Sequence, residues 1–465
     1  MTVTTIRELL LSSAALHGPS PFLIDGADGS TRSYAEVVLN ARRWAAWLRA
    51  EGLERVAIAL PNSLEYAELL FGAALCGTIV CPINPALLAG EVHELMRRFG
   101  ATTLLCTSSR SAELSGRSVG RKGELPAGLP PPAALDTLPV PRPDSLLSLM
   151  LSSGTSGTSK LCRITHEGAV WTSRHTAEAF GHAPGTRYLT PLPLFHINAQ
   201  VIGLYAAAQA GSAIALSARM PAAQLWAAVE RTQASGLSAV PAILHDLLQS
   251  PEPPPPCLKY VVTSSALLAD HVRTTFEQRF NVPLRVCYGL TECTGYAAYG
   301  PGPLGSVGAA RGAELRIGDE GEVLVKGRGV FPGYLDGPPV VHDGWLHTGD
   351  VGELRDGHLY LRGRIKEMIN RGGEKIAPAE IEAVLTQLDG VLEAGVFAVP
   401  DERLGEELAA ALVLSRDVSD DALFDHCAQA LAEFRTPRKF YRLGELPKGP
   451  TGKLLRRKLR EVCGA

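Results

Sequence analysis

The stretch 344–382, GWLHTGDVGELRDGHLYLRGRIKEMINRGGEKIAPAEIE, constrains this chain most, because it fits badly inside one domain and well across a joint between two. Strand-like runs at 358–361 and 368–369 alternate with glycine turns, and a helix start at Pro378 closes the segment. Asp350 follows Thr348-Gly349, a turn that lifts one carboxylate clear of the backbone. Arg364 comes directly after Gly363 at the end of a strand, and Lys366 stands two further on. A carboxylate and a guanidinium at successive strand ends can grip a hydroxylated, phosphorylated ligand from two sides. On these residues alone, solvated charges on β-turns are an equal alternative.

The length of 465 residues allows two to four domains with buried cores. A net charge of −3 argues against nucleic acid or an anionic membrane as the main partner. The nine cysteines are scattered, odd in number and without a CxxC pair, so we expect reduced thiols, a cytoplasmic protein and no structural zinc. Arg7 and Glu8 interrupt the first apolar run, which therefore predicts an amphipathic helix rather than a secretion signal. Gly203 and Gly211 break the alanine-rich segment 199–218, which predicts core rather than a membrane span. Of the 45 basic residues only ten are lysine, and Lys160, Lys366, Lys375, Lys448 and Lys453 all fall in the motifs below. A compact ammonium there, rather than a planar fork, suits phosphate chemistry.

A helical pattern at 31–51, a strand at 55–60, a helix at 63–76, a strand at 77–82 and a helix at 88–99 alternate as a parallel, doubly wound sheet requires. The Ser-, Gly-, Arg- and Pro-rich segment 108–144 has no periodicity and predicts a surface loop, and the proline spacer 252–256 precedes a strand at 258–263. After Lys366 the pattern changes to a helix at 378–388, strands near 391–399 and 408–414, and a helix at 420–434. The expected fold is thus α/β: a large N-terminal domain, 1–365, with doubly wound, mainly parallel sheets, and a small, mobile α+β C-terminal domain, 366–465, joined by a hinge.

Four further segments carry chemistry. An apolar run at 149–151 leads into Ser152, Ser153, Gly154, Thr155, Ser156, Gly157, Thr158 and Lys160, where glycines, hydroxyls and an ammonium suit triphosphate oxygens; the spacing is not that of a Walker A loop. Tyr288-Gly289-Leu290-Thr291-Glu292 sets an aromatic face, a tight turn, a hydroxyl and a carboxylate side by side. The carboxylate needs a divalent cation if a triphosphate lies near it. Pro193-Leu194-Phe195-His196-Ile197-Asn198 and Thr263-Ser264-Ser265 are strand-end segments with polar side chains. Lys448 to Lys453 form a turn in the basic tail. The Gly300–Gly305 segment satisfies GxGxxG, but its prolines and the lack of a following helix exclude a dinucleotide site.

Together these segments resemble the AMP-forming adenylating enzymes: acyl-CoA synthetases, stand-alone adenylation domains and luciferase-like ligases. The resemblance spans nearly the whole chain, and its closest form is that of acyl- or aryl-CoA ligases. It implies that residues 153–160 hold phosphates, with Ser159 in place of the usual proline, and that Tyr288 lies on adenine beside Gly289 and Ser264. It implies that Thr291 meets the α-phosphate, Glu292 holds Mg²⁺, and Asp350 and Arg364 hold the ribose. Lys366 would be the hinge, Gly372 and Gly373 would border a thiol tunnel, and Lys453 would serve the adenylating step. His196, Asn198, Ser264 and Ser265 would face the acid; Ser264 and Ser265 replace Gly and Ala of the family pattern, which favours a short, aromatic or polar acid over a long fatty one. The implied reaction takes a carboxylic acid and ATP to acyl-AMP and pyrophosphate, then to a thioester with coenzyme A. A carrier-protein pantetheine or an amine is the alternative acceptor.

Overall fold

The computed structural model describes residues 3–109, 121–124, 128–152, 160–217, 220–264, 268–449 and 454–465. Two mainly parallel sheets form the body. One runs in the order Arg121–Glu124, Thr103–Cys106, Arg55–Ala59, Ile79–Pro82, Leu146–Ser152, Lys160–Thr165, with only its last pair antiparallel. The other runs Leu284–Val286, Tyr260–Thr263, Gly236–Ala239, Arg187–Thr190, Ala213–Leu216, Pro21–Asp25, Thr31–Ser33, again antiparallel only at the last pair. Their central strands are almost continuously buried because helices cover both faces.

The helix expected from residue 31 begins at Tyr34. Thr31–Ser33 pairs with Pro21–Asp25 instead, and Ser33 caps the helix reciprocally with Glu36. In Leu64–Cys76 every residue except Glu65 is buried. At Gly72 an added Cβ would collide with Trp44 of the helix Tyr34–Ala50, so only glycine lets these two helices pack so closely.

The expectation of a plain loop over 108–144 needs correcting for its described part. Arg121–Glu124 is an edge strand, Leu135–Thr137 is a turn of 3₁₀-helix and Leu138 is buried. The cause lies far away in sequence: Arg7, buried in the helix Ile6–His17, donates hydrogen bonds to the carbonyls of Leu135 (2.7 Å), Pro139 (3.0 Å) and Leu75 (2.9 Å). The alanine-rich segment is core, as expected: the π-helix Asn198–Tyr205, the helix Ala206–Ala210 and the strand Ala213–Leu216 follow one another, nearly all buried. Among the described residues no helix is long and apolar enough to cross a membrane. The nine cysteines are free thiols.

Strand and helix alternation gave no hint of the third sheet, which is antiparallel. It runs Tyr288–Leu290, Gly295–Tyr299, Ala309–Ala310, His358–Arg364, Trp345–Arg355, Glu322–Lys326, Glu314–Ile317, with Val341–His342 also paired to Trp345–Arg355. The Gly300–Gly305 segment leads into a strand of this sheet and not into a helix.

A fourth sheet joins Glu374–Ile376, Ile369–Arg371, Gly405–Leu414 and Val391–Asp401, with Lys439–Arg442 parallel to Gly405–Leu414. Alternate residues of its long strands feed two apolar clusters, as a pleated strand requires. Val396, Leu408, Ala410 and Leu412 pack with Ile381 and Leu423 on one face, while Phe397, Ala409 and Ala411 pack with Leu459 on the other. Both clusters draw only on residues after Glu367.

Candidate nucleotide and acid site

A cavity of about 1010 Å³ opens where the carboxyl ends of both parallel sheets meet the antiparallel sheet. The segments following Arg55–Ala59, Ile79–Pro82, Arg187–Thr190, Gly236–Ala239 and Tyr260–Thr263 all contribute to its wall. Asn62 fastens these ends together. Its amide donates to the carbonyls of Leu192 and Ser217, both at 2.9 Å, and its oxygen accepts from the Leu194 N–H at 2.7 Å.

One group of polar residues on the wall comprises Lys160, Thr291, Glu292, Tyr334, Thr348, Gly349, Arg364 and Lys366. The Tyr334 hydroxyl donates to Glu292 Oε1 at 2.8 Å, and the Lys160 ammonium lies 4.5 Å from the centre of the Tyr334 ring. Glu292 has no ion-pair partner among the described residues. A wall carboxylate free of ion pairs beside an ammonium suits Mg²⁺, which is commonly held by one or two carboxylates together with substrate phosphates and water. Gly289 shows why this corner tolerates no side chain: an added Cβ there would overlap the Gly295 carbonyl of the next strand.

Asp350 and Arg364 stand opposite each other in register on adjacent antiparallel strands, with Arg364 Nε 2.8 Å from Asp350 Oδ1. The Tyr288 hydroxyl donates to Asp350 Oδ2 at 2.8 Å, and the Asp350 N–H to Thr348 Oγ1 at 3.0 Å. Burial, followed by the Asp350 charge, holds the Tyr288 phenol well above its ordinary pKa, so it stays a donor. Asp350 and Tyr288 are both buried and sit behind the wall, whereas Arg364 reaches it. Glu322 braces the same turn, accepting from the Gly349 N–H and pairing with His347 Nδ1, each at 2.8 Å.

A second polar group on the wall is formed by His196, Asn198, Ser264 and Tyr296, among the apolar Pro193, Phe195, Ile197, Met220, Val240 and Ile243. Asn198 Nδ2 donates to the Tyr296 oxygen at 2.6 Å and to Ser264 Oγ at 3.3 Å, and the Tyr296 hydroxyl lies 2.9 Å from Ser264 Oγ. His196 Nε2 is shut off from solvent without a partner, and burial lowers the imidazole pKa to about 4, so the ring is neutral at pH 7.

The cavity therefore gathers Lys160, His196, Asn198, Ser264, Gly289, Thr291, Glu292, Arg364 and Lys366. Ser153 to Thr158, Ser265 and Lys453 lie outside the described residues. Gly372 and Gly373 form the exposed turn between Ile369–Arg371 and Glu374–Ile376, away from the cavity wall. Sequence reasoning missed Tyr334, Tyr296, Asn62 and Glu322. Tyr296 stands four residues beyond Glu292 and Asn62 follows a strand-ending proline, so both had a local signal; Tyr334 and Glu322 had none.

The AMP-binding enzyme family matches residues 11–335, and the AMP-binding enzyme C-terminal domain matches residues 380–453. The chain belongs to the AMP-binding enzymes. Among the relatives of this family member, the sulfoacetate–CoA ligase of Cupriavidus necator is 31% identical, covering 98% of this chain and 97% of that protein. A long-chain-fatty-acid–CoA ligase of Mycobacterium tuberculosis is 30% identical over 93% of each chain. Among solved structures, the o-succinylbenzoate CoA synthetase of Bacillus subtilis in complex with its acyl-adenylate intermediate superposes with a TM-score of 0.88, at 27% identity and 97% coverage of both chains. The same enzyme with ATP and a magnesium ion gives a TM-score of 0.89 at 27% identity. As an AMP-binding enzyme of this two-part form, the chain has the mixed α/β architecture expected of it.

Proposed function

We propose that this chain is an AMP-forming acid–thiol ligase, converting a carboxylic acid, ATP and coenzyme A into an acyl-CoA, AMP and pyrophosphate. A carboxylate resists thiol attack because oxide would have to leave. A carboxylate oxygen therefore attacks the α-phosphorus of ATP, the bond to the bridging oxygen of the β-phosphate breaks, and pyrophosphate departs. The thiolate then attacks the acyl carbon of the acyl-AMP, and AMP leaves with the bonding pair. Coenzyme A is favoured over a carrier-protein arm because the relatives named above are CoA ligases. The observation that carries the reading is the cavity that joins a cationic, carboxylate-bearing end to a mostly apolar, acid-sized end bordered by Asp246.

Within it, Lys160 offsets triphosphate charge, the Thr291 hydroxyl faces the α-phosphate, and Arg364, aligned by Asp350, holds the sugar with Gly349. Glu292 would hold Mg²⁺, which supplies charge neutralisation along the triphosphate. Gly289 borders the purine on the antiparallel sheet, while Tyr288, expected to lie on it, is packed behind the wall against Asp350; residues 153–158 lead into Lys160. His196, Asn198, Ser264 and Ser265 border the acid. Residues 1–365 form the body and 366–465 a lid turning about the exposed Lys366, consistent with the apolar clusters dividing after Glu367. The Gly372-Gly373 turn approaches the body for the thiol step. In support, the neighbouring Lys375 pairs with Glu320 at 2.8 Å, two residues from the cavity-lining Glu322.

Lys453 stabilises the charge that builds as the acid attacks phosphorus. In support, the described residues on either side of it are held: Lys448 pairs strand-like with Leu454 and forms a 2.6 Å ion pair with Glu393. Lys453→Ala is expected to lower acid-dependent ATP–pyrophosphate exchange by about 10²–10³-fold while sparing thioester formation from supplied acyl-AMP. Equal loss of both half-reactions would overturn this division of labour.

A further inference from the structure

The acid end of the cavity has a hydrogen-bonding balance of its own. Tyr296 and Ser264 are buried, and with Asn198 they form a closed triangle. Ser264 Oγ accepts from both Tyr296 and Asn198, which occupies its two lone pairs and leaves its own O–H as a donor. That hydroxyl has no acceptor among the described residues, and Asn198 Oδ1 has no donor there. The triangle thus presents one donor and one acceptor at a wall it shares with Phe195, His196, Ile197, Ile243 and Asp246.

A hydroxyl group accepts one hydrogen bond and donates one, so it satisfies both positions. A methyl terminus would leave two buried polar groups unpaired. A second carboxylate or a sulfonate only accepts, and would face Asn198 Oδ1 without a counter-ion. The cations on the wall among the described residues, Lys160, Arg364 and Lys366, belong to the group around Glu292 and Asp350.

Resting on the acid-activating reading above, we propose that the substrate acid carries a neutral hydroxyl beyond its reacting carboxylate, received by Ser264 and Asn198 on a floor fixed by Tyr296. Tyr296 is then a specificity-determining residue, holding the other two in orientation through its phenol.

The test is ATP–pyrophosphate exchange by the full-length enzyme on length-matched short straight-chain acids and benzoates ending in hydroxyl, methyl or carboxylate. The expected result is a kcat/KM for the hydroxyl member at least ~10²-fold above its methyl partner, with the carboxylate member poorest. Ser264→Ala, and separately the isosteric Tyr296→Phe, should lower the hydroxyl-to-methyl ratio by about tenfold or more, read as a ratio so that general loss of activity cancels. A methyl- or carboxylate-ended acid preferred by the wild type, or a ratio unchanged in both variants, overturns the proposal while leaving acid activation standing. No exchange with any acid would instead overturn the underlying reading, and the proposal with it.

Discussion

Three histidines, His166 buried and His182 and His196 half-buried, make the body of this protein sensitive to acid, and one of them isolates the effect. His166, His182 and His196 each have a pKa lowered to about 4, first by burial and, for His182, also by the Arg285 charge. Each binds its proton near the ordinary 6.5 when unfolded and only near 4 when folded, so acid favours the unfolded chain. The stability they contribute is complete above about pH 6.5 and is lost progressively as pH falls towards 4. At pH 5 the difference amounts to about 2 kcal/mol for each histidine and about 6 kcal/mol for the three. That is comparable with the whole stability of many domains. His182 is the cleanest probe, because neither ring nitrogen has a hydrogen-bonding partner and its neighbours are Phe180 and Tyr188. His182→Leu should be neutral or stabilising at pH 7.5, since it removes an orphaned donor and acceptor. Urea unfolding, followed by tryptophan fluorescence at pH 7.5 and at pH 5, should show the variant losing about 2 kcal/mol less than the wild type over that interval. Identical pH dependence in the two proteins would refute the assignment of a buried neutral imidazole at this position.

Tyr334→Phe removes the hydroxyl held by Glu292 while keeping the ring beneath Lys160, so the Mg²⁺ concentration for half-maximal ATP–pyrophosphate exchange should rise about tenfold with little change in urea midpoint. The same shift should appear in calorimetric titration of ATP with and without Mg²⁺; an unchanged Mg²⁺ dependence would show that Tyr334 does not orient the carboxylate. Asp350→Ala strands the Arg364 guanidinium and the Tyr288 phenol, and should cost about 3–5 kcal/mol of stability along with a large rise in the KM for ATP. Asp350→Asn, which can still accept from Tyr288, should cost less stability, and equal losses in the two variants would mean that the charge of Asp350 is not what matters.

How much of this was readable in advance depends on the range of the forces involved. Parallel strands ending in Pro61-Asn62, Pro191 to Asn198 and Ser264 announce themselves by a local switch from apolar run to turn, and the doubly wound topology then brings those ends to one place. The antiparallel sheet had no such signature. Its strands are short or bent by bulges, and apart from the hairpin closed at Asp356-Gly357 several are paired across gaps that composition does not mark, as where Ala309 meets His358. The buried Arg7 is the same lesson in polar form: its charge looked like an amphipathic surface residue, yet it is satisfied by carbonyls more than sixty residues away.

Asp350 and Arg364 show where sequence reasoning reached an incomplete geometry. Two opposite charges at successive strand ends read as two jaws closing on a ligand. The register of the hairpin places them directly across from each other, so before any ligand arrives each already neutralises the other, and Tyr288 takes a further oxygen of the carboxylate. On the proposed reading, such a pair would meet a sugar differently from two independent jaws. The carboxylate cannot swing freely away from the pair, since moving it would leave the half-buried Arg364 guanidinium and the buried Tyr288 phenol without their acceptor. The ligand must instead come to an acceptor whose position is set by the fold. That arrangement would lose little orientational freedom on binding, and under the proposed hinge at Lys366 it would make Arg364 the residue through which a turn of the lid is felt at the nucleotide.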